Sequence, residues 1–239
     1  MELGQRKGFA YWISQLIGRH IMWASLQTKV IRPDAADREG PYILALTHLS
    51  HLDPFLTSFL VRRRPIDWLA RVEFFEYGIV NRFMNAVGAI RVRRFGVSAS
   101  AFRIAMSRLD KGRIVGICPE GGVAQGKLSV MRGAPMKQGV CLLSHRTGVP
   151  ILPCIMLGTD KLNCVRPWIP FRRGNLYVAF DDRLLTPPPV QKPQSRTERR
   201  AIWAQMAADL SARYQALFQE TLTEFNVPES FVPLGVNEE

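Results

Sequence analysis

The stretch Thr47-His48-Leu49-Ser50-His51-Leu52-Asp53-Pro54-Phe55 holds two imidazoles, a hydroxyl and a carboxylate, directly after the apolar run Tyr42–Leu46. Three readings fit these residue types. In the first, His48 and Asp53 hydrogen-bond across a tight turn. The carboxylate accepts from one ring nitrogen and leaves the other as a base that can take a proton from a hydroxyl nucleophile. In the second, His48, His51 and Asp53 ligate a metal, although no second cluster of ligands stands at suitable spacing, His20 and His145 lying in helix-like contexts. In the third, Asp53 only caps a helix that has Pro54 at its first position, and His48 is a polar loop residue.

Three further clusters could serve such a site. Gly116-Ile117-Cys118-Pro119-Glu120-Gly121-Gly122 also leaves an apolar run, Ile114–Cys118; its glycines allow close backbone approach to a ligand and Glu120 would project from the turn, although Pro-Glu-Gly-Gly is also ordinary turn chemistry. In Gly88–Gly96, Arg91 and Arg93 share one face of a strand and Arg94 takes the other. That is an anion site, or a solvated edge strand blunted by charge. Thr147–Cys154 contains Pro150 and Pro153 in a strand-like run, ordinarily an edge or bulge signal.

The elements that must position these groups alternate. Residues 42–46, 66–72, 89–94, 114–118, 150–157 and 175–180 read as strands, and 54–63, 74–86, 97–111 and 134–147 as helices. The alternation implies an α/β domain with a mixed, mainly parallel central sheet flanked by helices. His48 and Glu120 then both stand where strands run into loops, the end of such a sheet that presents reactive groups. A Pro-rich break at 186–195 precedes a helix over about 197–225, with Trp203, Met206, Leu210, Tyr214, Leu217 and Leu222 along one face. Residues 8–27 carry Phe9, Trp12, Ile13, Leu16, Ile17 and Trp23 at helical spacing. They read as an interfacial helix on a membrane or as a helix packed on its own domain. The division expected is an amino-terminal helical segment over 1–38 and an α/β domain over 39–239.

The chain's 47% hydrophobic and 22% charged residues fit a globular protein and argue against wholesale disorder. The net charge of +12 implies an anionic partner: a membrane surface, a nucleic acid, an acidic carrier protein or a phosphorylated substrate. Dispersed arginines, with no zinc-finger spacing and no RNP-type aromatic pattern, argue against nucleic acid. Four scattered cysteines, none in a CxxC pair, argue against structural zinc and for a reducing compartment. No signal peptide is apparent and no apolar run reaches the length of a transmembrane span.

The order of the clusters resembles the four motif blocks of the glycerolipid acyltransferase superfamily, whose best-known members are the 1-acylglycerol-3-phosphate acyltransferases. The blocks are His48-x-Ser50-x-Leu52-Asp53, Gly88-x-Ile90-x-Val92-x-Arg94, Pro119-Glu120-Gly121 and Val149-Pro150-Ile151-Leu152-Pro153, and they cover roughly residues 40 to 160. The resemblance implies that His48 takes the proton of a glycerol hydroxyl while Asp53 holds the imidazole tautomer. The hydroxyl oxygen then attacks an acyl thioester of coenzyme A or acyl carrier protein. Arg94, Glu120, Gly121 and Gly122 are implied to bind the acceptor, and neither a metal nor another cofactor is implied.

The third block departs from the family's Phe-Pro-Glu-Gly-Thr-Arg-Ser: here it reads Cys118-Pro119-Glu120-Gly121-Gly122-Val123-Ala124. The arginine that would meet the acceptor phosphate is missing at 123, with Lys127 or Arg132 as candidate replacements, and Thr47 stands where Asn is usual. The expected acceptor is 1-acylglycerol-3-phosphate, giving phosphatidic acid, with another lysolipid or an acceptor lacking that phosphate as the alternative. The expected location is the cytoplasmic face of a membrane, peripheral or monotopic. Basic runs such as Arg62–Arg64 and Arg91–Arg94 are attracted to anionic lipid. The competing classes are a non-catalytic basic membrane-binding module and a hydrolase in which His48 activates water. A serine hydrolase would need a Gly-x-Ser-x-Gly elbow, which the sequence lacks.

Overall fold

Parallel strands buried on both faces need continuous apolar runs, and three described segments of this chain meet that requirement fully. Strands β2 (Ile43–Leu46), β5 (Ile114–Ile117) and β6 (Ile151–Leu157) are buried at every position. The computed structural model describes residues 9–61, 63–76, 78–93, 99–162, 174–189 and 195–233. In it a seven-stranded sheet runs in the order β1-β7-β6-β2-β5-β3-β4, the others being β1 (Leu26–Ile31), β3 (Ile66–Arg71), β4 (Ile90–Val92) and β7 (Gly174–Phe180). Every pairing is parallel except β6 with β7. This is the mixed, mainly parallel sheet expected.

Side chains alternate across each strand and feed two cores. Ile43 and Ala45 of β2 join one; Leu44 and Leu46 join the other. The first is covered by helices α4 (Ala99–Asp110), α5 (Gly139–Thr147) and α6 (Arg196–Glu224), the second partly by helix α2 (Asp53–Leu60). Helix α3 (Gly78–Ala86) lies between β3 and β4 in the chain. Helix α6 starts with a capping box, Ser195 with Glu198, and buries Met206, Leu210, Tyr214, Leu217 and Phe218 at helical spacing. Its Tyr214 hydroxyl donates to the Ala45 carbonyl (2.9 Å), tying the helix to the strand that leads into the site.

The topology creates a crevice. From β2 the chain crosses past β5 to β3; from β5 it crosses past β2 to β6. The two connections leave neighbouring strands in opposite directions, and in open α/β sheets a ligand crevice opens at the carboxyl ends of such strands.

Residues 26–31, which the sequence reading leaves in the amino-terminal segment, form edge strand β1, with Leu26 opposite Gly174 and Ile31 opposite Ala179. Helix α1 (Phe9–Ser25) packs against α2: a Cβ at Gly18 would overlap the Phe59 ring, so glycine here permits close helix approach. Among the described residues, no helix is long and apolar enough to cross a membrane. Helix α5 begins at Gly139, later than the 134 expected: Pro135 disfavours helical geometry at Ala134, and the Lys137 N–H is held by the Pro119 carbonyl (2.9 Å). The tail after 233 lies outside the described residues.

Candidate active site

His48 leaves β2 through a loop fixed at several points. Thr47 is fully buried; its N–H donates to the Cys154 carbonyl (3.1 Å) and its hydroxyl accepts from the Met156 N–H (3.2 Å). The His48 N–H donates to Glu120 Oε2 (2.6 Å), and its carbonyl accepts from the Ala124 N–H (2.8 Å). The loop after β2 is thereby bound to the loop after β5.

His48 Nδ1 and Asp53 Oδ2 are 3.1 Å apart, with the aspartate side chain inaccessible to solvent and the imidazole 12% exposed. An ionised carboxylate only accepts, so Nδ1 carries the shared proton and Nε2 of the neutral ring keeps its lone pair. Asp53 Oδ2 also accepts from the Ser50 N–H (2.8 Å). This corrects the helix-cap expectation. Asp53 is the first residue of α2, Leu52 takes the cap position, and the Asp53 carboxylate turns back onto the His48–Ser50 loop.

Burial opposes protonation of His48, but the Cys118 sulfur and the Asp53 carboxylate outweigh it and the pKa rises. Burial raises the Cys118 thiol pKa as well. His51 has a different setting: it is exposed, sits edge-on to His48 and Phe74, and has its pKa lowered by burial and the neighbouring His48 and Arg71. Among the described residues, no group of three or more His, Cys, Asp or Glu side chains is placed to hold a metal ion.

Glu120 was expected to face the acceptor. Its carboxylate points inward instead: Oε2 accepts from His48 and Oε1 from the Ser129 hydroxyl (3.0 Å) and the Val130 N–H (3.1 Å). Burial raises its pKa and these donors oppose the rise. The geometry is that of a brace for the histidine loop. Gly121 has φ +75°, which favours glycine, and a Cβ there would overlap the Lys137 side chain. Gly122 needs no such backbone, and a Cβ there would meet nothing within 4 Å.

His48 lies at the wall of a cavity of about 650 Å³. Its lining is mostly apolar and aromatic, including Phe55, Trp68, Phe83 and Leu143, with Tyr11 and Gln15 contributed by α1. Trp68 fits because the residue in register with it on β5 is Gly116, where a Cβ would overlap the indole. Among the described residues, three cations border the cavity, Arg71, Arg93 and Lys137, together with Gly121, Gly122 and Val123. Arg71 pairs with Glu73 (3.1 Å). Among the described residues, no carboxylate pairs with the Lys137 ammonium.

Neither replacement cation expected from the sequence lines this cavity. Arg132 pairs with Glu229 (2.7 Å) and lies over the Phe218 ring. Lys127 is exposed on the short 3₁₀ turn Gly126–Leu128. Arg94 lies outside the described residues. Arg91 is engaged with Asn81, Asn85 and the Phe75 ring. Lys137, Arg71 and Cys118 escaped the sequence reading as site residues; for Cys118 its place at the end of an apolar strand was the available signal.

A His–Asp pair stands at the switch point of a mixed α/β sheet and opens on an apolar cavity rimmed by cations. The chain belongs to the Acyltransferase family, whose model matches residues 27–157, more than half of its length. It is 22% identical over 133 residues to a 1-acyl-sn-glycerol-3-phosphate acyltransferase of Bacillus subtilis (strain 168), a match covering 56% of this chain and 64% of that protein. It is 23% identical over 167 residues to the chloroplastic 1-acyl-sn-glycerol-3-phosphate acyltransferase BAT2 of Brassica napus, covering 66% of this chain and 45% of that protein. The matches thus span less than two thirds of either curated relative. Its fold is similar to that of the 1-acyl-sn-glycerophosphate (LPA) acyltransferase PlsC from Thermotoga maritima, with a TM-score of 0.58 at 19% identity over 84% of this chain and 78% of that one.

Proposed function

We propose that this protein is an O-acyltransferase that moves a fatty acyl group from acyl-CoA or acyl-ACP to a glycerol hydroxyl of a lysophospholipid, with 1-acylglycerol-3-phosphate as the acceptor and phosphatidic acid as the product. The observation that carries the reading is the buried Asp53 carboxylate on His48 Nδ1, which leaves Nε2 as a base at the wall of an apolar cavity. The cavity walls suit an acyl chain, and Lys137 suits the acceptor phosphate in place of an arginine at Val123. A second reading, an acceptor without that phosphate, draws on the same Val123, which is 40% exposed.

The protein is proposed to work at the cytoplasmic face of a membrane. Helix α1 turns Tyr11, Gln15 and Gly18 inward and leaves Trp12, Leu16, Ile17 and Trp23 exposed, an apolar face suited to the headgroup–acyl boundary. The +12 charge adds attraction to anionic lipid or to an acidic carrier protein.

The test is a donor-by-acceptor matrix with wild type, His48→Ala and His51→Ala. His48→Ala is expected to lose about 10²–10⁴-fold in turnover with its fold intact, and His51→Ala far less. Near-normal turnover of His48→Ala would overturn the assignment.

A further inference from the structure

The inward face of α1 carries Tyr11, Gln15 and Gly18 at helical spacing, where a helix packed on its own domain ordinarily places apolar side chains. Gln15 lines the cavity and is only 4% exposed, and its side-chain carbonyl oxygen has no hydrogen-bond partner among the described residues. Two other polar side chains on the wall are engaged: the Trp68 indole N–H donates to the Ser58 hydroxyl (2.8 Å), which donates to the Pro54 carbonyl (2.7 Å). A buried amide left unpaired destabilises a fold, and a leucine or methionine fills the same space without that loss. A residue that breaks the packing rule at a cavity wall marks a ligand contact. The contacts of α1 place it. Gly18 packs on the Phe59 ring and the Arg19 Nε donates to the Phe59 carbonyl (3.0 Å), at the last turn of α2. Tyr11 interacts with the charges of Arg19, Asp67 and Arg113, the last two at the amino ends of β3 and β5. Gln15 lies between these points, whereas Asp53 and His48 stand at the first turn of α2, about 9 Å from Phe59 at about 1.5 Å per residue.

We propose that Gln15 is a specificity-determining residue that reads a hydroxyl carried partway along a fatty acyl chain in the cavity. With the reacting groups at His48, a chain that follows the apolar wall past Phe55 and Trp68 reaches Gln15 several methylenes from its carbonyl. A hydroxyl both donates and accepts, so it suits either end of the amide, whereas a saturated chain leaves the amide unpaired. A wall that hydrogen-bonds a substrate hydroxyl discriminates against the chain that lacks it, which a purely apolar wall does not do. The chain in question belongs either to the thioester donor or to the lysophospholipid acceptor; the chemistry at Gln15 is the same. The inference rests on the acyl-transfer reading and adds to it the class of chain.

The experiment uses the full chain as wild type, Gln15→Met and Gln15→Leu. One arm sets stearoyl-CoA against 10-hydroxystearoyl-CoA with a saturated acceptor; the other sets 1-stearoylglycerol-3-phosphate against its 10-hydroxystearoyl analogue with a saturated donor. kcat/KM is read in each, and calorimetry reads the binding of stearate and 10-hydroxystearate alone. Wild type is expected to prefer the hydroxylated chain about fivefold to tenfold in one arm, which identifies the source, and both variants should lose the preference with Tm unchanged or higher. A hydroxyl beside the thioester, as in 3-hydroxystearoyl-CoA, should give no preference that depends on Gln15. No preference in either arm, a preference that survives in both variants, or a fall in Tm in both variants overturns the inference and leaves the acyl-transfer reading standing. If no pair yields product, the acyl-transfer reading falls and calorimetry decides the inference: tighter binding of 10-hydroxystearate by wild type than by Gln15→Met upholds it, and equal binding overturns it.

Discussion

Glu120 holds His48 by its main chain: carboxylate oxygen Oε2 accepts the His48 N–H at 2.6 Å, while Oε1 accepts from Ser129 and Val130. An acidic residue in the second loop therefore fixes the backbone from which the base projects. Glu120→Ala strips two backbone donors of their acceptor. The expected loss is about 1–3 kcal/mol of stability, read by urea unfolding, with kcat falling more than the acceptor KM rises. A rise in acceptor KM at unchanged stability and kcat would make Glu120 a substrate ligand instead.

The His48–Asp53 pair sets a pH dependence. Burial depresses the His48 pKa, and the Cys118 sulfur and the Asp53 carboxylate together raise it further than burial lowers it. Activity needs the neutral ring, so it is lost as pH falls through a midpoint above the 6.5 of an unperturbed imidazole. For stability the sign is opposite: the histidine's contribution is fully present below the unfolded value and is lost as pH rises through the folded one. Asp53→Asn removes the carboxylate, so the acid limb of kcat/KM should move to lower pH while kcat drops about 10²–10⁴-fold. An unmoved limb would mean that another group titrates.

The parts of this site legible in the sequence were those written locally. Strands β2 and β5 announce themselves as apolar runs, and the motif order places His48, Asp53 and Glu120 at their ends. What those side chains face was not local. Asp53 allowed both a pairing with His48 and a helix cap before Pro54, and the folded loop decides between them by turning its carboxylate towards Ser50 and His48. Lys127 and Arg132 were nearest in sequence to the missing arginine, yet the turn after Gly121 leads them away, and Lys137 returns when its N–H bonds the Pro119 carbonyl (2.9 Å). Strand β1 was hidden because its partner β7 lies far along the chain and Leu26-Gln27-Thr28-Lys29-Val30-Ile31 lacks a continuous apolar run.

Helix α1 has an inward face and an outward face. Tyr11 and Gln15 line the cavity, while Leu16 is 59% and Trp23 81% exposed. A fully buried apolar side chain contributes about 1.5–3 kcal/mol, so Leu16→Glu with Trp23→Ser should weaken co-sedimentation with anionic vesicles by tenfold or more. Activity on detergent-dispersed short-chain substrates should persist, and salt should weaken wild-type binding only in part. Vesicle binding of the double variant equal to wild type would remove α1 as the membrane face.

Lys137 is the cation to test for the acceptor headgroup. Its side chain lies against Gly121, where the positive φ and missing Cβ give it room, and it borders the cavity that contains His48. Val123, on the same border, offers a phosphate nothing but apolar surface. Losing a charge-assisted hydrogen bond to phosphate costs about 1.5–3 kcal/mol, which corresponds to a factor of about 10–150. Lys137→Ala should therefore raise the KM for 1-acylglycerol-3-phosphate by that factor with a smaller change in kcat, the pattern of binding lost equally from ground and transition states. Lys137→Arg should retain most of the affinity. Val123→Arg placed on Lys137→Ala should recover part of it, because the new guanidinium enters from the neighbouring point on the rim. A monoacylglycerol acceptor, which has no phosphate, should show no KM change in any of these variants. Initial rates against acceptor concentration decide the matter: an unchanged KM for the phosphate acceptor in Lys137→Ala would move the headgroup to Arg93 or make the acceptor one that carries no phosphate there.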